Sequence, residues 1–275
     1  MKHLARDIFK FLVIFMILFH VYPEYTYWTN KYQEEVNGGE VYQVINASKK
    51  KGKKKKLILG DSVTKQFSES DIDTSIYLNL ASNQAISLVG QYCLLSNYIQ
   101  TKNELDSLYL VYHPLSFSNN LDNSFTFHYF EKPFYGKDYM NLFTEEVKTQ
   151  IEKIPFHYLA KYHPVLTSNW SPTFSNEEQN KPFISNISKV YLEKIELICR
   201  ANNIHLIIVS PPVNQKFKNE FSEFKKSNES LHLKSYFENL KYYPESNFFP
   251  DHIHLNKIGL TSFSFQELLT NSTPK

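Results

Sequence analysis

Cysteine is scarce in this chain, whose 275 residues include only Cys93 and Cys199. No CxxC pair and no cluster of cysteine with histidine occurs, so cysteine chemistry does not indicate a metal site. Both cysteines lie in apolar segments with the pattern of helices. They either form one disulfide or, in the preferred interpretation, remain two buried free thiols. The sequence predicts no metal and no cofactor.

A strong charge imbalance is also lacking. The 30 Lys and Arg residues face 28 Asp and Glu residues, for a net charge of +2, and nucleic acid is therefore not an expected partner. Much of the lysine is concentrated in residues 49–56. Such a run repels itself and stays solvated, so it is interpreted as a linker; contact with anionic headgroups or an acidic polysaccharide is the alternative.

The N-terminal region has neither a long uninterrupted apolar run nor a small-x-small cleavage site. Lys2, Arg6 and Lys10 come before or within the apolar stretch, which is uninterrupted only over residues 11–19. We expect residues 1–26 to be an uncleaved signal anchor, a transmembrane helix completed by snorkelling of Lys10. A cleaved signal peptide, or an amphipathic or buried helix, is the alternative.

An anchor of this kind sets the expected topology and domain organisation. Its positive flank would place the N-terminus in the cytoplasm and the rest of the chain outside it, in the cell envelope or periplasm, with the membrane as a partner. Residues 27–56 would then be a stalk that includes the lysine run. Residues 57–275 would form the catalytic domain.

The pattern of that domain alternates between strands and helices. Short apolar strands are predicted at 57–59, 75–80, 108–112 and 205–209, and amphipathic helices at 83–98, 187–198 and 256–269. This alternation favours an α/β fold with a parallel sheet covered by helices on both faces. It lapses in residues 114–182, an aromatic-rich stretch expected to form a cap whose rings either stack on sugars or pack a small core.

The first candidate site is Gly60-Asp61-Ser62, directly after the first predicted strand. A serine there lies at the mouth of the sheet, where its own backbone N–H can face a developing oxyanion. Taken alone the tripeptide is a weak signal. The serine could equally be a plain helix cap, with Asp61 accepting hydrogen bonds from turn amides.

The second candidate site lies near the C-terminus. Asp251 and His254 are three residues apart, so one turn can bring the carboxylate to the imidazole. The carboxylate would fix the tautomer of His254 and stabilise its charged form, as a general base beside a serine requires. A metal site is the alternative, but no second cluster of ligands supports it.

Taken together, Gly60-Asp61-Ser62 and the block from Asp251 to Asn256 resemble the first and last blocks of the SGNH/GDSL hydrolase family. The resemblance covers about residues 57–269. It implies a flavodoxin-like three-layer α/β fold with a central parallel sheet. It further implies that Ser62 is the nucleophile, His254 the base and Asp251 the residue that orients it.

The middle blocks of the family pattern are altered. The second block lacks its glycine, so Asn83 would have to complete the oxyanion hole with Ser62 through its backbone. No residue matches the asparagine of the third block, and His113 is the nearest candidate for a third donor. These departures are similar to the divergent branch of envelope polysaccharide O-acetyltransferases and esterases.

The resulting functional hypothesis is a serine esterase or O-acyl(acetyl)transferase that acts on acylated envelope or exopolysaccharide glycans through an acyl-serine. Two alternatives stay open. One is a catalytically silent binding or scaffold module in polysaccharide export. The other is a lipid-directed esterase. The sequence does not decide the acyl donor or the oligomeric state.

Overall fold

The computed structural model describes residues 2–21, 39–52, 54–68, 72–123, 125–134, 137–154, 157, 184–227 and 233–271. The first helix, α1, spans Lys2–Val21. Among the described residues, no helix combines the length and apolar character needed to cross a membrane. The predicted N-terminal transmembrane helix is therefore wrong. The prediction fails because Lys2, Arg6, Asp7 and Lys10 all lie within α1 and leave too short an apolar stretch to cross a membrane.

A four-stranded parallel sheet forms the centre of the fold. Its strands are β1 (Lys56–Gly60), β2 (Tyr77–Asn79), β3 (Ser107–Val111) and β4 (His205–Val209), in the order β2-β1-β3-β4. The two central strands pair from Lys56 with Ser107 to Gly60 with Val111. A second, two-stranded sheet joins β5 (Val213–Asn214) to β6 (Tyr242–Tyr243), also in parallel. The predicted α/β class with a parallel sheet is confirmed.

Helices connect these strands. In chain order they are α2 (Gly39–Ser48), α3 (Ser62–Ser68), α4 (Ser87–Gln100), α5 (Lys132–Phe134), α6 (Lys137–Met140), α7 (Glu145–Lys153), α8 (Asn186–Ala201), α9 (Lys218–Ser227), α10 (Lys234–Glu238), α11 (Lys257–Thr261) and α12 (Phe265–Asn271). Short 3-10 turns span Gln84–Ile86, Pro114–Ser118, Gln215–Phe217 and Glu245–Asn247, and a π-helix spans Phe127–Glu131.

Alternation along the strands divides the core between the two faces of the sheet. Leu57 and Leu59 of β1 join the larger apolar cluster, which contains side chains of α2, α4 and α8. Ile58, between them, joins the smaller cluster, with side chains of α3 and α12. Successive residues of a strand point to opposite faces, so each central strand is buried on both sides.

Part of the predicted stalk belongs to the folded domain. Helix α2 buries Val41 and Ile45 in the larger cluster. Lysines of the basic run are also engaged, because Lys55 lies 3.6 Å from Glu104 and 3.8 Å from Asp106. Since exposed pairs of this kind stabilise little, they indicate position more than strength.

The predicted cap is described only in part, because residues 158–183 lie outside the described ranges. In the described part the aromatic rings are mostly core. Phe127, Phe130 and Phe134 are fully buried, and Phe130 stacks on Phe134 at 5.5 Å. Phe125, in contrast, is 57% exposed. Of the two interpretations of these aromatics, packing a core is the one this part of the structure favours.

Candidate active site

The site begins at the turn that leaves β1. Gly60 ends the strand and Ser62 starts α3, so the serine lies at the carboxyl edge of the sheet. A Cβ on residue 60 would overlap the carbonyl oxygen of Val111 and the side chain of Thr64. Glycine is therefore required here by the close approach of β1 to β3, and this approach fixes the origin of α3.

Asp61 ties this turn to the end of β3. One carboxylate oxygen accepts the N–H of Val63 and of Thr64, at 3.1 and 3.2 Å. The other accepts the N–H of His113 at 2.6 Å and the hydroxyl of Ser116 at 2.7 Å. The side chain is fully buried, and these donors offset the cost of burying its charge. Asp61 thus links the end of β1 to the end of β3 through hydrogen bonds.

The loop of the last block is built around Asp251. Oδ1 of Asp251 accepts the N–H of Ile253 at 2.9 Å and that of His254 at 3.0 Å. Its Oδ2 lies 2.7 Å from Nδ1 of His254. Although burial raises the pKa of Asp251, hydrogen bonds from Ile253 and His254 outweigh it and lower that pKa below its ordinary value. The carboxylate is thus held ionised beside the imidazole.

The structure brings the three residues of the predicted triad together. Nε2 of His254 lies 2.9 Å from Oγ of Ser62, across 192 residues of sequence. With the Nδ1 proton shared with Asp251, Nε2 is left as the acceptor for the serine hydroxyl. The side chains of His254 and Asp251 are 32% and 46% exposed, so the site is open to water.

Gln66 is a residue that the sequence analysis missed. Its side-chain amide donates to the carbonyl of Leu255 at 3.2 Å, and its carbonyl accepts the N–H of Leu255 at 3.0 Å. These two bonds join α3 to the loop immediately after His254. A signal was present: Gln66 lies four residues after Ser62, hence on the same face of a helix.

The two backbone N–H groups that the sequence analysis assigned to an oxyanion hole belong to Ser62 and Asn83. Ser62 is the first residue of α3, where a helix leaves its N–H groups unpaired. Asn83 precedes the 3-10 turn Gln84–Ile86, and its side chain accepts the N–H of Ala85 at 2.9 Å. Among the described residues, neither the Ser62 nor the Asn83 N–H has a hydrogen-bond acceptor.

His113 lies next to this site and is fully buried. Its Nδ1 accepts the N–H of Leu115 at 3.3 Å, so in the neutral ring the proton lies on Nε2. No described group accepts a hydrogen bond from that Nε2. Burial, with a smaller contribution from His254, lowers the pKa of His113 to about 4, against the opposing effects of Asp61 and Asp251. The ring is thus a neutral donor at physiological pH.

The two cysteines that the sequence analysis considered belong to the larger core cluster. Cys93 and Cys199 are both buried and free, and no disulfide joins them. Burial raises the pKa of Cys199 to about 12, which keeps this thiol protonated and unreactive at physiological pH. Their placement in α4 and α8 agrees with the preferred interpretation as packed core thiols.

Comparison with known proteins gives little guidance. No family profile matches this chain, and no curated protein matches it. A solved structure described as "a putative platelet activating factor from Streptococcus pneumonia" aligns with 88% of this chain and 95% of its own. The sequence identity is 10% and the TM-score 0.39, a likeness too slight to establish a family. The chemistry that the site can perform is therefore inferred from its residues and their distances.

Proposed function

We propose that this protein is a serine esterase that forms an acyl-serine intermediate on Ser62. One observation carries the proposal: the hydrogen-bonded line from Asp251 through His254 to Ser62, with contacts of 2.7 and 2.9 Å. A carboxylate, an imidazole and a hydroxyl in this order activate an otherwise weak nucleophile at neutral pH.

The reaction proceeds in two halves. As Oγ of Ser62 attacks the ester carbonyl, its proton passes to Nε2 of His254. The imidazolium gives that proton to the alcohol oxygen as the C–O bond breaks, and the acyl group stays on Ser62. Water, deprotonated by His254, then attacks the acyl-serine, and the carboxylic acid leaves while Ser62 regains its proton.

Three donors are assigned to the oxyanion. They are the N–H groups of Ser62 and Asn83 and the Nε2–H of His113. The support is that the first two lack acceptors among the described residues, and that the third is a buried neutral donor next to the triad. Preorganised donors of this kind stabilise the tetrahedral intermediate more than the substrate.

The acyl acceptor distinguishes an esterase from an O-acyltransferase. The exposure of His254 and Asp251 favours water, because an open site does not exclude it. The acylated carbohydrate substrate and the glycan transferase activity rest on the resemblance of the two end blocks. The described cap aromatics add only Phe125 as an exposed ring.

The test is turnover of p-nitrophenyl acetate by the full chain, with fluorophosphonate labelling of the serine, beside its Ser62→Ala variant. We expect wild-type turnover and labelling at Ser62, and loss of both in the variant. Ser210→Ala is the matched control, because the Ser210 hydroxyl bonds Pro211 and the Tyr236 side chain rather than a residue of the proposed triad, and it should retain both signals.

Two results would count against the proposal. Equal turnover by wild type and Ser62→Ala would place the nucleophile elsewhere. Absence of both turnover and labelling in a folded wild type would favour the silent binding module. Addition of an acetylated or free glycan to the same assay then separates transfer from hydrolysis, because transfer consumes ester without releasing acetic acid.

A further inference from the structure

A groove of about 880 Å³ runs beside β4, on the side of the molecule where the sheet ends. Its floor is the open edge of β4, because that strand pairs with β3 alone among the described strands. Its walls come from both helical layers: Cys199 and Arg200 of α8 on one face, and Phe263 and Leu268 on the other. Asn239 and Lys241 also line it.

The backbone of β4 presents unused hydrogen-bonding groups to this groove. The N–H of His205 donates to Asp106 and the carbonyl of Val209 accepts from Tyr112, so residues 205 and 209 face β3. In a parallel strand, successive residues direct their N–H and C=O to alternate edges. Leu206 and Ile208 therefore direct theirs into the groove, where no described residue pairs with them.

These groups specify an extended peptide as the occupant. Only a strand presents N–H and C=O groups at the spacing that Leu206 and Ile208 require. The five residues of β4 span about 17 Å, enough for a segment of five to seven residues. A second copy of the sheet fits less well, since the edge is recessed between the two helical layers and two such edges cannot approach each other.

Charge around the groove selects the kind of segment. Arg200 and Lys241 lie towards opposite ends of β4, because Arg200 precedes the strand closely and the Lys241 carbonyl accepts the N–H of Val213 beyond it. Glu196 is the carboxylate among the described lining residues. The positive charges of Arg200 and Lys241 exceed the single negative charge of Glu196, and this excess favours a peptide with acidic residues at its ends.

The geometry points to the open edge of β4 as a binding site for an extended segment of a partner protein, with an apolar centre and acidic ends, which adds a fifth strand to the sheet. Such an edge, left uncovered, also invites aggregation, which the occupant prevents. This interaction is separate from the ester chemistry and does not depend on Ser62.

The test uses the full chain and a blocked nine-residue peptide of alternating valine and threonine between terminal pairs of acidic residues. A twin peptide carries lysines at the ends. In the free protein, amide exchange at Leu206 and Ile208 should be at least about tenfold faster than at Ile207, which bonds β3. The acidic peptide should slow both amides and leave Ile207 unchanged, and it should do so equally in Ser62→Ala.

Charge reversal supplies the matched control. The variant carrying Arg200→Glu and Lys241→Glu should bind the lysine peptide several-fold more tightly than the acidic one, reversing the wild-type preference. Protection of Leu206 and Ile208 in the free monomer would overturn the proposal, as would protection caused by dimerisation in sedimentation. Peptide binding that leaves these two amides unprotected would also overturn it.

Discussion

At the scale of single residues, His113 is notable because its imidazole is buried and its Nε2 has no hydrogen-bond partner among the described residues. A buried imidazole with an unpaired donor is costly, because its desolvation is not repaid by a protein hydrogen bond. An oxyanion that forms only during the reaction would repay that cost at the transition state. The ring would then discriminate between transition state and substrate.

We predict that His113→Leu lowers kcat by about 10²–10³ with little change in KM, the loss typical of one oxyanion donor. His113→Gln should recover part of that rate, because its amide N–H reaches towards the position of Nε2. Thermal unfolding is the control for stability. The substitution removes an unpaired buried donor, and it also removes the Nδ1 atom that accepts the N–H of Leu115. Equal kcat for wild type and His113→Leu would remove His113 from the oxyanion hole.

Residue-level reasoning from the sequence picked out three side chains that the structure places within hydrogen-bonding distance of one another, but not the residues that hold them in place. Ser62, Asp251 and His254 are visible because their types and short-range context are distinctive. The hydrogen bonds that Gln66 and Asp61 make are not visible in the sequence, because their partners, Leu255 and His113, are distant along the chain. Only folding brings these pairs within hydrogen-bonding distance.

At the scale of elements, the contact between α3 and the last loop sets the distance between Ser62 and His254, the proposed nucleophile and base. The side chain of Gln66 makes both hydrogen bonds to the backbone of Leu255, directly after His254. A displacement of about 1 Å at a catalytic group can cost about 10²-fold in rate. Gln66 is therefore a positioning residue that acts through the loop.

We predict that Gln66→Leu lowers kcat by about 10–100-fold and slows fluorophosphonate labelling of Ser62 in proportion. Gln66→Glu should be intermediate, because a carboxylate still accepts the N–H of Leu255 but cannot donate to its carbonyl. The labelling rate and the melting temperature are measured together. A fall in melting temperature with an unchanged labelling rate would reduce Gln66 to a structural contact.

Helices and strands were predictable from the sequence where an apolar run or a helical spacing of apolar residues stood out. The apolar run 205–209 coincides with β4, and the helix predicted at 187–198 lies within α8. The helix predicted over 256–269 is instead two, α11 and α12, with Ser262 at the break capping α11 and accepting from the Asn247 amide. The π-helix Phe127–Glu131 was not predicted, because its apolar residues show no distinctive spacing in the sequence.

At the scale of the whole molecule, stability should depend on pH through Glu131, at the end of that π-helix. Its carboxyl is fully buried and neither oxygen has a hydrogen-bond partner among the described residues. Burial raises the pKa of Glu131 from its ordinary value of 4.5 to about 9. The folded state holds the proton more tightly than the unfolded chain, so this group lowers the free energy of unfolding as pH rises from 4.5 to 9.

We predict that Glu131→Gln is more stable than wild type at pH 7.5 by on the order of 1–3 kcal/mol, and that the difference shrinks towards pH 4.5. Urea unfolding at pH 5 and 7.5 measures it. Burial lowers the pKa of Lys132 to about 8, so this neighbour makes stability depend on pH only above about pH 8, where the folded protein loses that proton before the unfolded chain does. A difference independent of pH would mean that Glu131 is ionised in the folded protein.

The overall architecture was predictable as far as its class, and the N-terminal segment was not. Alternating strand and helix patterns dictate a parallel sheet with two buried faces, which the structure contains. At the N-terminus, Lys2, Arg6, Asp7 and Lys10 interrupt the apolar character of α1, and no described helix is long and apolar enough to cross a membrane. Helix α2 escaped prediction because Val41 and Ile45 give too weak an apolar pattern to mark a buried face.

The separation of Ser62 from its base has a consequence during biosynthesis. The nucleophile emerges from the ribosome early, whereas His254 follows 192 residues later. Until that last loop docks on α3, Ser62 is an ordinary alcohol in a partly made sheet. In the proposed mechanism, a nascent chain is thereby kept from acylating itself or its neighbours until the loop that carries His254 has been made.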